Sequence, residues 1–118
     1  MPVRSLNSSV MKWPNKDQVL QALKNWKSIV CNNNENIISI GYFGSYARND
    51  SGVGSDLDLV IIVKETDKPF EKRSTEWDLS SIPVPVDLLV YTQKEWRKLK
   101  RETNKFIEKS LKETLWLK

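Results

Sequence analysis

Residues 37–64 read IISIGYFGSYARNDSGVGSDLDLVIIVK, and this stretch decides the fold. Residues 37–43 are rich in β-branched and aromatic side chains, a composition that favours a strand. Residues 57–64 contain an unbroken apolar run, which predicts a second strand buried on both faces. Gly44-Ser45 ends the first strand, and the polar run over residues 49–52 predicts a turn.

Two capping patterns predict helices on either side of this stretch. Asn15 followed by Gln18 resembles a capping box, and the apolar residues after it recur at helical spacing as far as residue 30. Thr92 followed by Glu95 repeats the pattern. From it we expect basic amphipathic helices over residues 93–118, with an apolar stripe that includes Phe106, Ile107, Leu111 and Leu115.

A short helix and a third strand are predicted between these elements. Residues 70–79 follow a break and predict the helix. Residues 86–91 predict the strand, and Pro83 and Pro85 just before it indicate a sheet edge or a strand start.

The predicted order of elements is α-β-α-β-α-β-α-α, which indicates a mixed α/β fold. We expect one domain over residues 1–118, with a loose lead-in over residues 1–14. Its sheet would be small, about three to four strands, and flanked by helices.

The composition excludes several kinds of chemistry. The 118 residues contain no histidine and a single cysteine, Cys31. Ser-His-Asp and Cys-His catalysis, an internal disulfide, and zinc sites built on histidine or cysteine are therefore excluded. An enzyme with this composition would rely on carboxylates, hydroxyls, Lys, Arg and a cofactor, and oxygen ligands favour Mg²⁺ or Mn²⁺. No segment has the length of a membrane span and no secretory signal is evident, so we expect a cytoplasmic location.

The positive charge is concentrated near the C-terminus. The chain carries a net charge of +4, and residues 94–118 hold nine Lys or Arg against four Asp or Glu. This basic segment could contact nucleic acid or an acidic partner, or it could be an ordinary solvated helix face. Trp116, expected at the end of a basic helix, is the best candidate for a surface that faces a partner.

Polar residues at the ends of the predicted strands form a candidate site. Gly44-Ser45 is followed, after ten residues, by the pair Asp56 and Asp58. Glycine lets backbone approach a phosphate closely, and Ser45 adds a hydroxyl at the start of a short helix. Asp56 and Asp58 are two residues apart, which predicts side chains on one face, and Asp87 would join them if the second and third strands are neighbours. Three carboxylates around divalent metals would suit phosphoryl or nucleotidyl transfer.

Each of these residues also has a purely structural interpretation. The aspartates could be exposed polar residues at a strand start or a sheet edge, and Ser45 could be only a helix cap. Arg48 could steady a triphosphate, or it could pair with an acidic residue and hold the turn.

The segments Gly44-Ser45-Tyr46-Ala47-Arg48, 55–60 and 86–90 together resemble the signature of the minimal nucleotidyltransferases of the DNA polymerase β superfamily. The shared pattern is Gly-Ser, ten residues, Asp-x-Asp, and a third aspartate on a later strand. The resemblance covers roughly residues 16–117. One departure is Asn49, where these proteins often have glycine, but Asn can adopt the same positive φ.

The resemblance implies a polymerase-β-like nucleotidyltransferase core, a nucleoside triphosphate (usually ATP) and Mg²⁺. By position, Gly44 and Ser45 would contact phosphate, while Asp56, Asp58 and Asp87 would bind metal. Asp87 would be the best placed to assist deprotonation of an acceptor hydroxyl.

The resemblance also implies a partner protein. Many such proteins bind an all-helical protein of the HEPN family, and some are antitoxins that adenylylate a tyrosine of that protein. We therefore expect transfer of AMP to a hydroxyl of a partner. Two alternatives stay open: a catalytically weak module that sequesters the partner, and transfer to RNA or a small molecule. The oligomeric state, homo- or hetero-oligomeric, also stays open.

Overall fold

The computed structural model describes residues 13–102, 109 and 112–118. Its elements confirm the predicted α/β class. No described helix is long and apolar enough to cross a membrane. In chain order the elements are α1 (Lys16–Asn33), β1 (Ile37–Phe43), α2 (Ser45–Arg48), β2 (Leu57–Val63), a 3-10 helix (Phe70–Glu76), β3 (Val86–Thr92), α3 (Gln93–Arg101) and β4 (Leu115–Trp116).

The four strands form one mixed sheet in the order β3-β2-β1-β4. β1 runs antiparallel to both β2 and β4, whereas β2 and β3 are parallel. A parallel pair needs a crossover, and residues 64–85 with the 3-10 helix provide it. β3 lies at an edge of the sheet, as Pro83 and Pro85 indicate, and its register places Asp87 directly opposite Asp58.

The core is built on both faces of β2, whose apolar run is buried as predicted. On one face α1 packs against the sheet through Val19, Leu23 and Trp26. On the other face α3 contributes Trp96, which packs against Val60 and Ile62. Full burial of one such side chain stabilises the fold by about 1.5–3 kcal/mol.

Both predicted capping boxes are present. The Gln18 backbone N–H donates to the Asn15 side chain at 2.8 Å, and the Asn15 N–H donates to the Gln18 side chain at 2.9 Å. Thr92 and Glu95 repeat this exchange at the start of α3. Glu95 also accepts from the buried Arg73 at 2.6 Å, which ties the 3-10 helix to α3.

The 3-10 helix replaces the helix that the sequence predicts over residues 70–79. It covers Phe70–Glu76 and ends before Trp77. Its tight turns carry Arg73 inward, where the guanidinium donates to the carbonyl oxygens of Lys68 and Val90. Short 3-10 segments of this kind are frequent as connectors.

The C-terminus departs from the prediction of helices as far as residue 118. Leu115 and Trp116 form β4 instead, paired with Tyr42 and Gly41 of β1. Gly41 permits this pairing, because a Cβ at Gly41 would lie 2.7 Å from the Thr114 methyl and 2.8 Å from the Trp116 ring. Helical apolar spacing could not reveal this requirement. The predicted helical positions Phe106, Ile107 and Leu111 lie outside the described residues.

Candidate active site

The turn after β1 has the backbone geometry that its sequence predicts. Gly44 has φ +73°. Asn49, which stands where similar proteins often have glycine, has φ 65° and so adopts the expected left-handed conformation. Between them the four-residue helix α2 is closed by the Arg48 N–H, which donates to the Gly44 carbonyl at 3.0 Å. The expectation that Ser45 caps this helix is wrong, because Gly44 holds the cap position and Ser45 is the first helical residue.

Gly44 packs directly against Asp58. A Cβ built on Gly44 would overlap the Asp58 carboxylate, so this position needs glycine for space as well as for its positive φ. β1 and β2 are paired here, with Phe43 opposite Asp58. The Gly44-Ser45 turn is thereby held against the start of β2.

The three aspartates lie at one end of the parallel β2–β3 pair. Asp58 and Asp87 occupy facing positions on neighbouring strands, and such strands are about 4.8 Å apart. Asp56 comes one residue before β2, close enough for its negative charge to act on Asp58. Asp58 is half-buried, whereas Asp56 and Asp87 are exposed.

Electrostatics single out Asp58 among the three. Burial is the main cause that raises the pKa of its carboxyl above the ordinary value of 3.8, followed by the negative charges of Asp87 and Asp56. The Arg48 charge acts in the opposite direction and lowers this pKa. The carboxylates are therefore close enough to repel one another, which a bound cation would offset.

The donor set fits a hard divalent cation by its chemistry. Carboxylate oxygens are the ligands that Mg²⁺ and Mn²⁺ prefer, and Asp56, Asp58 and Asp87 supply them from one end of the sheet. Within the described ranges, no group of three or more acidic, histidine or cysteine side chains is already arranged around a metal position. The candidate site is therefore centred on Asp58 and Asp87, which face each other on β2 and β3.

Arg48 pairs with acidic side chains in this structure. Its Nε donates to Asp50 at 3.3 Å, and its Nη1 donates to both carboxylate oxygens of Glu113 at 3.2 Å. The side chain of Arg48 is 46% exposed and that of Glu113 is 18% exposed. Sequence reasoning missed Glu113, because nothing in the local sequence relates it to a residue 65 positions earlier.

A second feature lies on the face of the sheet that carries Asp58 and Asp87, between α3 and the β1–β4 edge. It is an open cavity of about 800 Å³ with an apolar floor that includes Ile62 and Trp96, and Arg97 and Lys100 of α3 are at its rim. Ile62 is four residues along β2 from Asp58, or about 13 Å. None of the predicted site residues lines this cavity.

Known proteins resemble this chain in sequence and in fold. The chain is a nucleotidyltransferase: the family described as nucleotidyltransferase domain matches residues 23–116, and the chain belongs to that family. This confirms the resemblance to the minimal nucleotidyltransferases of the polymerase β superfamily. Among solved structures, a proposed nucleotidyltransferase from Sulfolobus solfataricus is similar, with a TM-score of 0.57 and 24% identity over 70% of this chain and 75% of that chain. That likeness supports the fold. A search of curated proteins finds no match.

Proposed function

We propose that this nucleotidyltransferase transfers AMP from ATP to a hydroxyl of a partner protein, with Asp56, Asp58 and Asp87 as the catalytic carboxylates. The observation that carries the proposal is the packing of Gly44 against Asp58, with Asp87 in the facing position on β3. The turn that we propose to bind phosphate and a pair of carboxylates thus meet at one end of the sheet.

The residues divide into two groups by role. Gly44 leaves room for a phosphate to approach the backbone, and the hydroxyl of Ser45 donates to a phosphate oxygen. Asp56, Asp58 and Asp87 would hold Mg²⁺ or Mn²⁺, and when bound such an ion supplies positive charge that offsets the charge of the triphosphate. Asp87, exposed at the sheet edge, accepts the proton of the acceptor hydroxyl. The hydroxyl oxygen then forms a bond to the α-phosphorus of ATP, and pyrophosphate leaves.

A protein acceptor is favoured by the cavity beside α3. Its floor is apolar. Among the described residues, its charged lining is mostly basic, with Arg97, Lys100 and Lys112 against one acidic residue, Glu102. This lining suits an apolar side chain flanked by acidic residues. Successive unstacked nucleobases would need several open aromatic faces, whereas among the described aromatic lining residues Trp96 is 7% exposed and only Trp116, at 43%, is open. We therefore favour a partner of the HEPN type, modified on a hydroxyl in an antitoxin-like reaction in the cytoplasm, over RNA or a small molecule.

Labelled ATP tests the proposal directly. The purified chain is incubated with Mg²⁺, α-labelled ATP and the protein encoded beside it. We expect label on a hydroxyl of that protein, and a loss of about a hundredfold or more in Asp58→Asn. Asp67→Asn, an exposed aspartate away from the site, is the matched control and should keep the full rate.

Two results would contradict the protein-modifying proposal. No label on the neighbour with wild type would contradict it, as would equal labelling by wild type and Asp58→Asn. If Asp56→Asn/Asp58→Asn still neutralises the partner fully in cells, the chain acts by sequestration. Steeply salt-dependent RNA binding with label on RNA would favour nucleic acid as the acceptor.

A further inference from the structure

Glu113 is held in a fixed place by the strand that follows it. Its backbone N–H donates to the Lys109 carbonyl at 3.2 Å, and the next residue, Thr114, is buried. Beyond Thr114, β4 pairs with β1 at Gly41 and Tyr42. The C-terminal strand therefore brings Glu113 to the turn between β1 and β2.

Glu113 meets Arg48 at that turn. The Nη1 of Arg48 donates to both oxygens of Glu113, and its Nε donates to Asp50. Among the described residues, Nη2 of Arg48 has no acceptor. The guanidinium is thus fixed on one side, while a further donor group stays available to a ligand.

Arg48 belongs to the turn that packs against Asp58. Its backbone N–H donates to the Gly44 carbonyl at 3.0 Å, and a Cβ on Gly44 would overlap the Asp58 carboxylate. Because the Arg48 side chain is nearly half exposed, an ion pair of this kind contributes little to stability. The position of Arg48 on the short helix that begins at the Gly44-Ser45 turn points to a role in the site.

We propose that Glu113 is a positioning residue that holds the Arg48 guanidinium at the Gly44-Ser45 turn, where the guanidinium receives the triphosphate. This inference rests on the proposed function, since it assumes that a nucleoside triphosphate binds at the Gly44-Ser45 turn. Because Glu113 already orients the guanidinium, less side-chain entropy is lost when the triphosphate binds.

Calorimetric titration with Mg²⁺ and α,β-methylene-ATP tests the proposal through binding rather than turnover. We expect Arg48→Ala and Glu113→Ala each to weaken binding about tenfold, the usual effect of losing one charge-assisted hydrogen bond. The double variant should bind no more weakly than Arg48→Ala alone, because Glu113 acts through Arg48. Glu113→Gln keeps an oxygen acceptor and should recover part of the affinity. Glu35→Ala, an exposed glutamate outside the site, is the control and should bind as wild type does.

The remaining outcomes overturn the proposal. Unchanged or tighter binding by Glu113→Ala would mean that Glu113 does not help Arg48, and a double variant with additive losses would mean that it acts independently. Thermal unfolding checks that each variant is folded, and Glu113→Gln, which keeps the side-chain shape, replaces Glu113→Ala if the latter is unfolded. If wild type binds no triphosphate, the proposed function fails and this inference falls with it. If wild type binds and Glu113→Ala binds equally well, only this inference fails.

Discussion

The two faces of the sheet differ in how they are packed and in what they carry. On the α1 face, side chains such as Leu23, Leu59 and Ile61 are fully buried in one continuous cluster. On the α3 face the buried cluster is small, centred on Trp96, and the same face carries Asp58, Asp87 and the open cavity. One face is therefore closely packed and supplies most of the stability, while the other has open space on the side that carries the carboxylates.

The largest effect on stability is expected from truncation on the α1 face. Leu23→Ala should lower the free energy of unfolding by about 2–5 kcal/mol, because it leaves a cavity in a closely packed cluster. Leu99→Ala, also in a helix but only partly buried on the α3 face, should cost about half as much. Urea unfolding of both variants measures the difference. Equal losses would show that the two faces stabilise the fold equally.

A smaller effect on stability, but a large one on activity, is expected at Gly44. Gly44→Ala forces a Cβ onto the Asp58 carboxylate and adopts a strained positive φ, which together cost about 1–3 kcal/mol. Nucleotide transfer should fall by about a hundredfold or more, because Asp58 must move. Gly52→Ala is the matched control, since in the described part of the chain no atom beyond its two neighbours lies within 4 Å of its Cβ position. Similar rates in the two variants would contradict the close packing of Gly44 and Asp58.

The smallest of the three effects is the pH dependence that Asp58 gives to stability. Because its pKa is raised in the folded state, the folded protein holds this proton more tightly than the unfolded chain does. Its contribution is therefore most favourable below the ordinary value of 3.8 and is lost as pH rises through the raised value. With a chelator present to remove metal ions, Asp58→Asn should be at least as stable as wild type at neutral pH. The difference in stability between the two proteins should shrink under acidic conditions. Thermal unfolding of both proteins across pH measures this difference. If the fold stabilised Asp58 as an anion, wild type would instead be more stable than Asp58→Asn at neutral pH and lose that advantage in acid.

The sequence allowed the central part of this arrangement to be predicted. The apolar run of β2, the capping residues Asn15 and Thr92, and the positive φ of Asn49 are local features, and each is present as expected. The position of Asp87 opposite Asp58 can be predicted only if β2 and β3 are assumed to be neighbours, because no local sequence feature determines which strands pair.

The features that the sequence did not reveal depend on contacts between distant residues. β4 exists because Gly41 leaves room for Thr114 and Trp116, while the apolar spacing of the C-terminal segment also fits a helix. The contact between Arg48 and Glu113 follows from that strand, so a prediction that misses β4 also misses the contact.

The most direct test of the central claim is a measurement of divalent-cation binding at the α3 face. Electron paramagnetic resonance can follow free Mn²⁺ as it is titrated into the protein with ATP. We predict that wild type and Asp67→Asn bind the ion, and that Asp58→Asn and Asp87→Asn each weaken this binding at least tenfold. Equal binding by all four proteins would contradict the assignment of these aspartates as the metal site.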